Sequence, residues 1–126
     1  MATAMFNAVH VLTLHVNDFD KCVAFYRDTM GLEAGDIVAD AGWAEFKLAN
    51  GVTLGLHRDD CAPDGRRANT TTGFFIAVPD AVAAEAELKA RGVTITQGVT
   101  DFPFGKTVSW ADPDGNESVF VQFTQG

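Results

Sequence analysis

The stretch HVLTLHVND at residues 10–18 carries two histidines, His10 and His15, and a third, His57, follows in VTLGLH. Histidine is the commonest metal ligand and titrates near neutrality, so these side chains point to metal binding or proton transfer. Glu45 and Glu117 add carboxylates, and Trp43 and Trp110 add indoles on which a small molecule could stack. The cysteines suggest no chemistry. Cys22 falls on the apolar side of a helical stretch and reads as a small core residue, while Cys61 lies in a polar loop with nothing to activate it.

The elements that must position these groups follow from periodicity. Residues 9–16 alternate, with Leu12, Leu14 and Val16 on one side and Val11, Thr13 and His15 on the other, the period of a half-buried strand. A helix follows, capped by Asn17 or Asp18, with Phe19, Cys22, Val23, Tyr26 and Met30 at helical spacing and Gly31 as its stop. Three strands come next, at roughly 35–40, 43–48 and 52–57, the last two joined by an Asn50-Gly51 turn. RDDCAPDGRRANTTT, residues 58–72, reads as a linker. The pattern then restarts, with a strand at 74–78, a helix from Pro79 to Gly92, and strands at 93–97, 106–111 and 117–123. Asp112-Pro-Asp-Gly-Asn116 forms a tight turn before the last strand.

Asp18 matches Asp80 and Gly31 matches Gly92 at nearly the same offset, so two β-α-β-β-β units lie in tandem. The expected fold is α+β. One domain spans residues 1–126, with module one at about 6–57, the linker at 58–72 and module two at about 73–124. Neither unit could bury its sheet alone, so the two form a curved mixed sheet, a half-open barrel with helices outside and a concave cup.

Composition narrows the partners. With 47% hydrophobic and 21% charged residues, the chain has the profile of a soluble domain, and no apolar run is long enough to span a bilayer. A net charge of −8 argues against nucleic acid and anionic membrane and suits a cationic small molecule. The opening MATAMFNAVH has no basic stretch followed by an apolar one, so a cytoplasmic location is the expectation.

VNDFDKCVAFYRDTMGLE, AVAAEAELKARGV and the DPDGN turn, in that order and spacing, make the chain resemble the glyoxalase/bleomycin-resistance/extradiol-dioxygenase group, the vicinal oxygen chelate superfamily, from about Val9 to Phe123. The resemblance implies a homodimer, with exchanged units in some members. In metal-dependent members it also implies up to four ligands converging in the cup. Those positions fall here on Thr13, Gly55, Gly73 and Val119. Glycine and valine have no donor and a lone threonine hydroxyl is a poor one, so no metal and no other cofactor is expected.

Alternation then fills the cup with Thr13, His15, Trp43, Glu45, His57, Phe75 and Glu117, and the strand at 106–111 adds either Trp110, which would pair with Trp43 in the cup, or its opposite face. Each Trp could instead plug the sheet interface, and each Glu could be a solvated strand residue. Phe102 and Phe104 are expected in a loop, as a lid or an interface. His10 shares the parity of Leu12 and reads as a structural histidine facing the helix. Three functions stay open. The first is a metal-free protein that binds a planar or cationic small molecule, as antibiotic-sequestering members do. The second is an enzyme of the lyase, isomerase or dioxygenase kind, with His15 as its base or with a displaced His15/His57/Glu117 metal site. The third is a subunit with a vestigial cleft.

Overall fold

The computed structural model describes Met5, residues 9–61 and residues 71–124. Module one runs β1 (Val11–Val16), α1 (Phe19–Ala24), β2 (Glu33–Val38), β3 (Trp43–Lys47) and β4 (Thr53–Arg58); module two runs β5 (Thr71–Ala77), α2 (Ala81–Ala90), β6 (Thr94–Phe102), β7 (Gly105–Ala111) and β8 (Glu117–Phe123). Each module forms its own four-stranded mixed sheet, ordered β1-β4-β3-β2 and β5-β8-β7-β6. In both, the first strand runs parallel to the last and the remaining pairs are antiparallel. The repeat inferred from the sequence is therefore a structural repeat.

The same local chemistry starts and stops both helices. Asp18 and Asp80 cap them, accepting from the backbone N–H groups of Lys21 and Ala83 at 3.2 and 3.1 Å. Gly31 and Gly92 follow with φ of 77° and 76°, a left-handed conformation that glycine adopts without steric cost. Several boundaries differ from expectation. The first helix is α-helical only to Ala24 and continues as a π-helix over Phe25–Thr29, closed by Met30 N–H donating to the Phe25 carbonyl at 2.8 Å. Strand β4 extends to Arg58 and β5 begins at Thr71, which shortens the linker from both ends. Most of that linker, residues 62–70, lies outside the described residues, as does the side chain of Cys61. Strand β2 begins earlier than expected, at Glu33, and Asn50-Gly51 belongs to a 3-10 turn.

The buried rows of the first sheet are Leu14 and Val16, Ala44 and Phe46, and Leu54 and Leu56, packed under Phe19, Cys22, Val23 and Tyr26. Alternation thus assigned β1 its faces correctly. His10 is the exception: it precedes β1, its side chain is exposed, and its carbonyl accepts from Thr53 N–H.

The modules are joined through the Asp112–Asn116 turn. Asp112, almost fully buried, accepts from the Tyr26 hydroxyl at 2.8 Å, from the Asn116 side-chain amide at 3.0 Å, and from the backbone N–H groups of Asp114 and Asn116. Asp114 reaches across to accept from the N–H groups of Asn17 and Asp18 at 2.6 and 2.9 Å and from the Cys22 thiol at 3.2 Å. Asn116 donates to the His15 carbonyl at 2.9 Å. Beside the turn, Trp110 packs against Phe25 and Tyr26.

Burial, with the Asp114 hydrogen bond behind it, pushes the Cys22 thiol well above its ordinary range; burial and then the Asp112 charge do the same to the Tyr26 phenol. Both groups stay protonated in the folded chain but ionise in the unfolded chain above about 9.0 and 10.0. Their contribution to stability is therefore complete below about pH 9 and is lost as pH rises, by up to about 1.4 kcal/mol per pH unit per group. Tyr26 is the only tyrosine, so tyrosinate absorbance is expected to appear together with loss of circular dichroism in an alkaline titration. Tyrosinate forming while the fold persists would contradict this. Asp112→Ala is expected to lower stability by about 3 kcal/mol in urea melts, because it strips several donors of a charged acceptor.

Candidate functional site

Three strands of module one bring a row of side chains onto the face away from α1. Registers pair His15 with His57 and His57 with Trp43, and, one step along, Thr13 with Gly55 and Gly55 with Glu45. Because Phe46 and Ala44 point into the core, Trp43 and Glu45 must point the other way. The His15 and His57 ring centroids stand 6.0 Å apart, and the Trp43 ring meets His57 edge-on at 5.6 Å. The indole Nε1–H donates to Glu45 Oε2 at 2.8 Å, which fixes the ring and engages the carboxylate. Four of the sequence-selected residues, His15, Trp43, Glu45 and His57, are thus one contiguous group, with Thr13 beside them.

Gly55 explains where the indole lies. A Cβ built at this position would stand 2.5 Å from Trp43 Cη2 and 2.9 Å from Cζ2, well inside van der Waals contact. The six-membered ring rests on the glycine. This glycine is demanded by a neighbouring side chain rather than by a backbone turn, a role that no local sequence signal could carry.

Module two presents a different surface. Phe75 pairs with Val119 on β8 and is 61% exposed. Glu117 accepts a hydrogen bond from the Thr96 hydroxyl and does not join the histidines. Phe102 and Phe104, expected in a loop, form the tip of a β6–β7 hairpin: Phe102 ends β6 and Pro103-Phe104 make the turn. Their rings stack at 5.2 Å, nearly parallel, with Phe123 at 6.5 Å from Phe104. All three are exposed. Among the described residues, no aromatic contact joins this group to Trp43, His15 or His57.

Trp110 does not face Trp43 across a cup. It is 2% exposed, and its ring lies among Phe25, Tyr26 and Phe120 on the core side of its sheet. Strand β7 is buried continuously from Thr107 to Trp110, so alternation gave it no readable face. Trp110 is the plug between the modules, and Trp43 alone stands on the open face.

The divalent ion of metal-dependent relatives does not fit this donor set. Thr13 offers one hydroxyl, Gly55 offers nothing and lies under an indole, Gly73 has no side chain, and Val119 is apolar. Among the described residues, no three His, Cys, Asp or Glu side chains converge on a point.

Residues 8–120 match the profile of the Glyoxalase/Bleomycin resistance protein/Dioxygenase superfamily. The chain belongs to that superfamily, whose two-module α+β fold it shares. A superfamily member from Sphaerobacter thermophilus is 28% identical, with a TM-score of 0.82 over 94% of this chain and 99% of the other. TnmS3, an antibiotic-binding protein from a Streptomyces species, is 25% identical, with a TM-score of 0.81 over 97% of this chain and 100% of the other. A lactoylglutathione lyase from Agrobacterium tumefaciens, 20% identical with a TM-score of 0.75 over 94% and 96%, shares the fold. No helix among the described residues is long and apolar enough to cross a membrane.

Gly55→Ala is expected to destabilise the protein by about 1–3 kcal/mol through overpacking, and Trp43→Ala in the same chain to recover most of that loss. Chemical denaturation of the two single variants and the double variant measures the coupling. Simple additivity would mean that the indole does not rest on Gly55.

Proposed function

We propose that the protein is a metal-free binder of a planar or cationic small molecule, of the antibiotic-sequestering kind. The observation that carries this reading is the Trp43 indole, laid flat over Gly55 and tied to Glu45. A fixed aromatic plate gives stacking or cation–π affinity at little entropic cost, and a neighbouring carboxylate favours a cation. The likeness to an antibiotic-binding protein at 25% identity supports the same reading. His57 and His15 extend the aromatic wall, and Thr13 adds a hydroxyl that fixes orientation.

In this proposal the binding unit is a homodimer. The exposed rings of module two, Phe75, Phe102, Phe104 and Phe123, form the apolar surface that a second copy would use to close the cup. Sedimentation equilibrium is expected to give twice the 13.5 kDa chain mass, and Phe102→Ser with Phe104→Ser to weaken that association. A purely monomeric wild type would remove the dimer from the proposal.

A second reading, acid–base chemistry, draws on the approach of the His15 and His57 rings. It is separated from the first by metal analysis and by ligand titration. A stoichiometric divalent ion lost in His15→Ala would favour an enzyme. For the binder, Trp43→Ala is expected to weaken binding of a planar cationic antibiotic by roughly tenfold or more in calorimetric titration, matching a stacking or cation–π contribution of about 1–2 kcal/mol. Unchanged affinity in that variant would sink the proposal.

A further inference from the structure

Glu45 is flanked in its row by two glycines. Gly55 stands beside it on β4. On β2, Ala34 pairs with Phe46 and Ile37 with Ala44, so Gly35 and Asp36 together oppose the single residue Glu45 in a β-bulge. The space over Gly55 is taken by the Trp43 ring. The space over Gly35 is not. This glycine is exposed, and a Cβ built on it would stand 3.6 Å from Glu45 Cβ and 3.8 Å from Oε1, its nearest neighbours all belonging to Glu45.

The two carboxylate oxygens therefore have different surroundings. Oε2 accepts from the Trp43 Nε1–H at 2.8 Å. Oε1, within reach of the space over Gly35, accepts from no described residue and opens to solvent. An indole N–H is a neutral donor, so it orients the carboxylate without cancelling its charge. Among the described residues, no basic side chain cancels it either; Lys47, the nearest along the strand, is paired with Glu33 at 3.1 Å. Asp36 adds a second exposed carboxylate at the bulge. A half-buried carboxylate with one oxygen unengaged and no counter-ion favours a cation that brings its own hydrogen-bond donor.

Taking the cup as the binding site, on which this inference rests, we propose that its ligand is an organic cation bearing an N–H group, an ammonium, amidinium or amino-heteroaromatic cation. Its plane lies on the outer face of the Trp43 indole, and its N–H donates to Glu45 Oε1 over Gly35. The carboxylate stands at the pyrrole edge of the indole, because it accepts from Nε1–H, so a donor at the rim of a stacked ligand overhangs it. Glu45 thus has two tasks, one oxygen holding the indole and the other reading the ligand. A neutral planar molecule gains only the stacking. A fully alkylated cation gains charge attraction as well but leaves Oε1 without a hydrogen bond. The bulge supplies the room, since any side chain at position 35 would begin in contact with Glu45.

Three probes separate these contributions: quinoline, uncharged at neutral pH; 1-methylquinolinium, a permanent cation without N–H; and 4-amino-1-methylquinolinium, the same cation with an amino donor. Affinities are read by calorimetry on the full chain, and the Trp43 indole N–H is followed in proton–nitrogen correlation spectra. The amino cation is expected to bind about ten- to a hundredfold more tightly than 1-methylquinolinium, the range of a hydrogen bond to a charged acceptor, and to shift the Trp43 signal saturably. Gly35→Val is expected to bring that ratio close to one; Gly35→Ala, whose Cβ meets Glu45 at ordinary contact distance, serves if valine prevents folding. Glu45→Gln, which keeps an oxygen for the indole N–H but not the charge, is expected to erase the preference of both cations over quinoline. Equal affinity of the two cations, or a ratio that survives substitution of Gly35, would overturn the proposal and leave the cup standing as a binding site. Absence of binding by all three probes would remove it together with the stacking on Trp43 that it rests on.

Discussion

Two carboxylates in one turn hold the molecule together. Asp112 and Asp114 are satisfied by backbone N–H groups, a phenol, an amide and a thiol, with no cation among these partners. Such an arrangement works because hydrogen bonds to a charged acceptor are stronger than neutral ones and strengthen further away from water. The bonds run from module two into the start of α1 and into Tyr26, so they fix one sheet relative to the other. Through Asn116 and the His15 carbonyl they also fix the end of β1. The orientation of the open face of module one is therefore inherited from a turn nearly a hundred residues further along the chain.

The repeat is faithful in its backbone and unfaithful in its surfaces. Capping aspartates and stop glycines occur at matching places, and strand order is the same. Yet the face of module one opposite its helix carries histidines, an indole and a carboxylate, whereas exposed phenylalanines mark module two. Backbone-encoding residues define the unit, and side chains on the free faces divide the labour between the copies. The two tryptophans show the division most clearly, one buried where the modules meet and the other standing on the open wall.

Much of this was readable from residue order. Alternation in β1, β3 and β4 located the histidines, Trp43 and Glu45 on one face because half of each strand is buried and half is not. It leaves β7 undecided, because a nearly unbroken buried run erases the contrast that defines a face, and of the two placements open to Trp110 the structure takes the one between the modules rather than the cup. Phe102 lay hidden because a proline beside it reads as loop, although Pro103 only makes the hairpin turn. The π-helical turn after Ala24 has no compositional signature at all. Gly55 was readable as a residue without a donor but not as the floor beneath an indole, since that relation spans two strands and depends on a rotamer.

The seat that Gly55 gives Trp43 also limits the routes by which this sequence could change. A larger side chain at position 55 displaces the indole, because the ring occupies the space its first carbon needs. Position 43 would have to shrink, or its ring swing aside, for position 55 to grow. In a population acquiring one substitution at a time, growth at position 55 therefore carries a stability cost for as long as the indole stays where it is. The pair acts as a latch on descent, tying the residue allowed at one position to the size of the residue at the other.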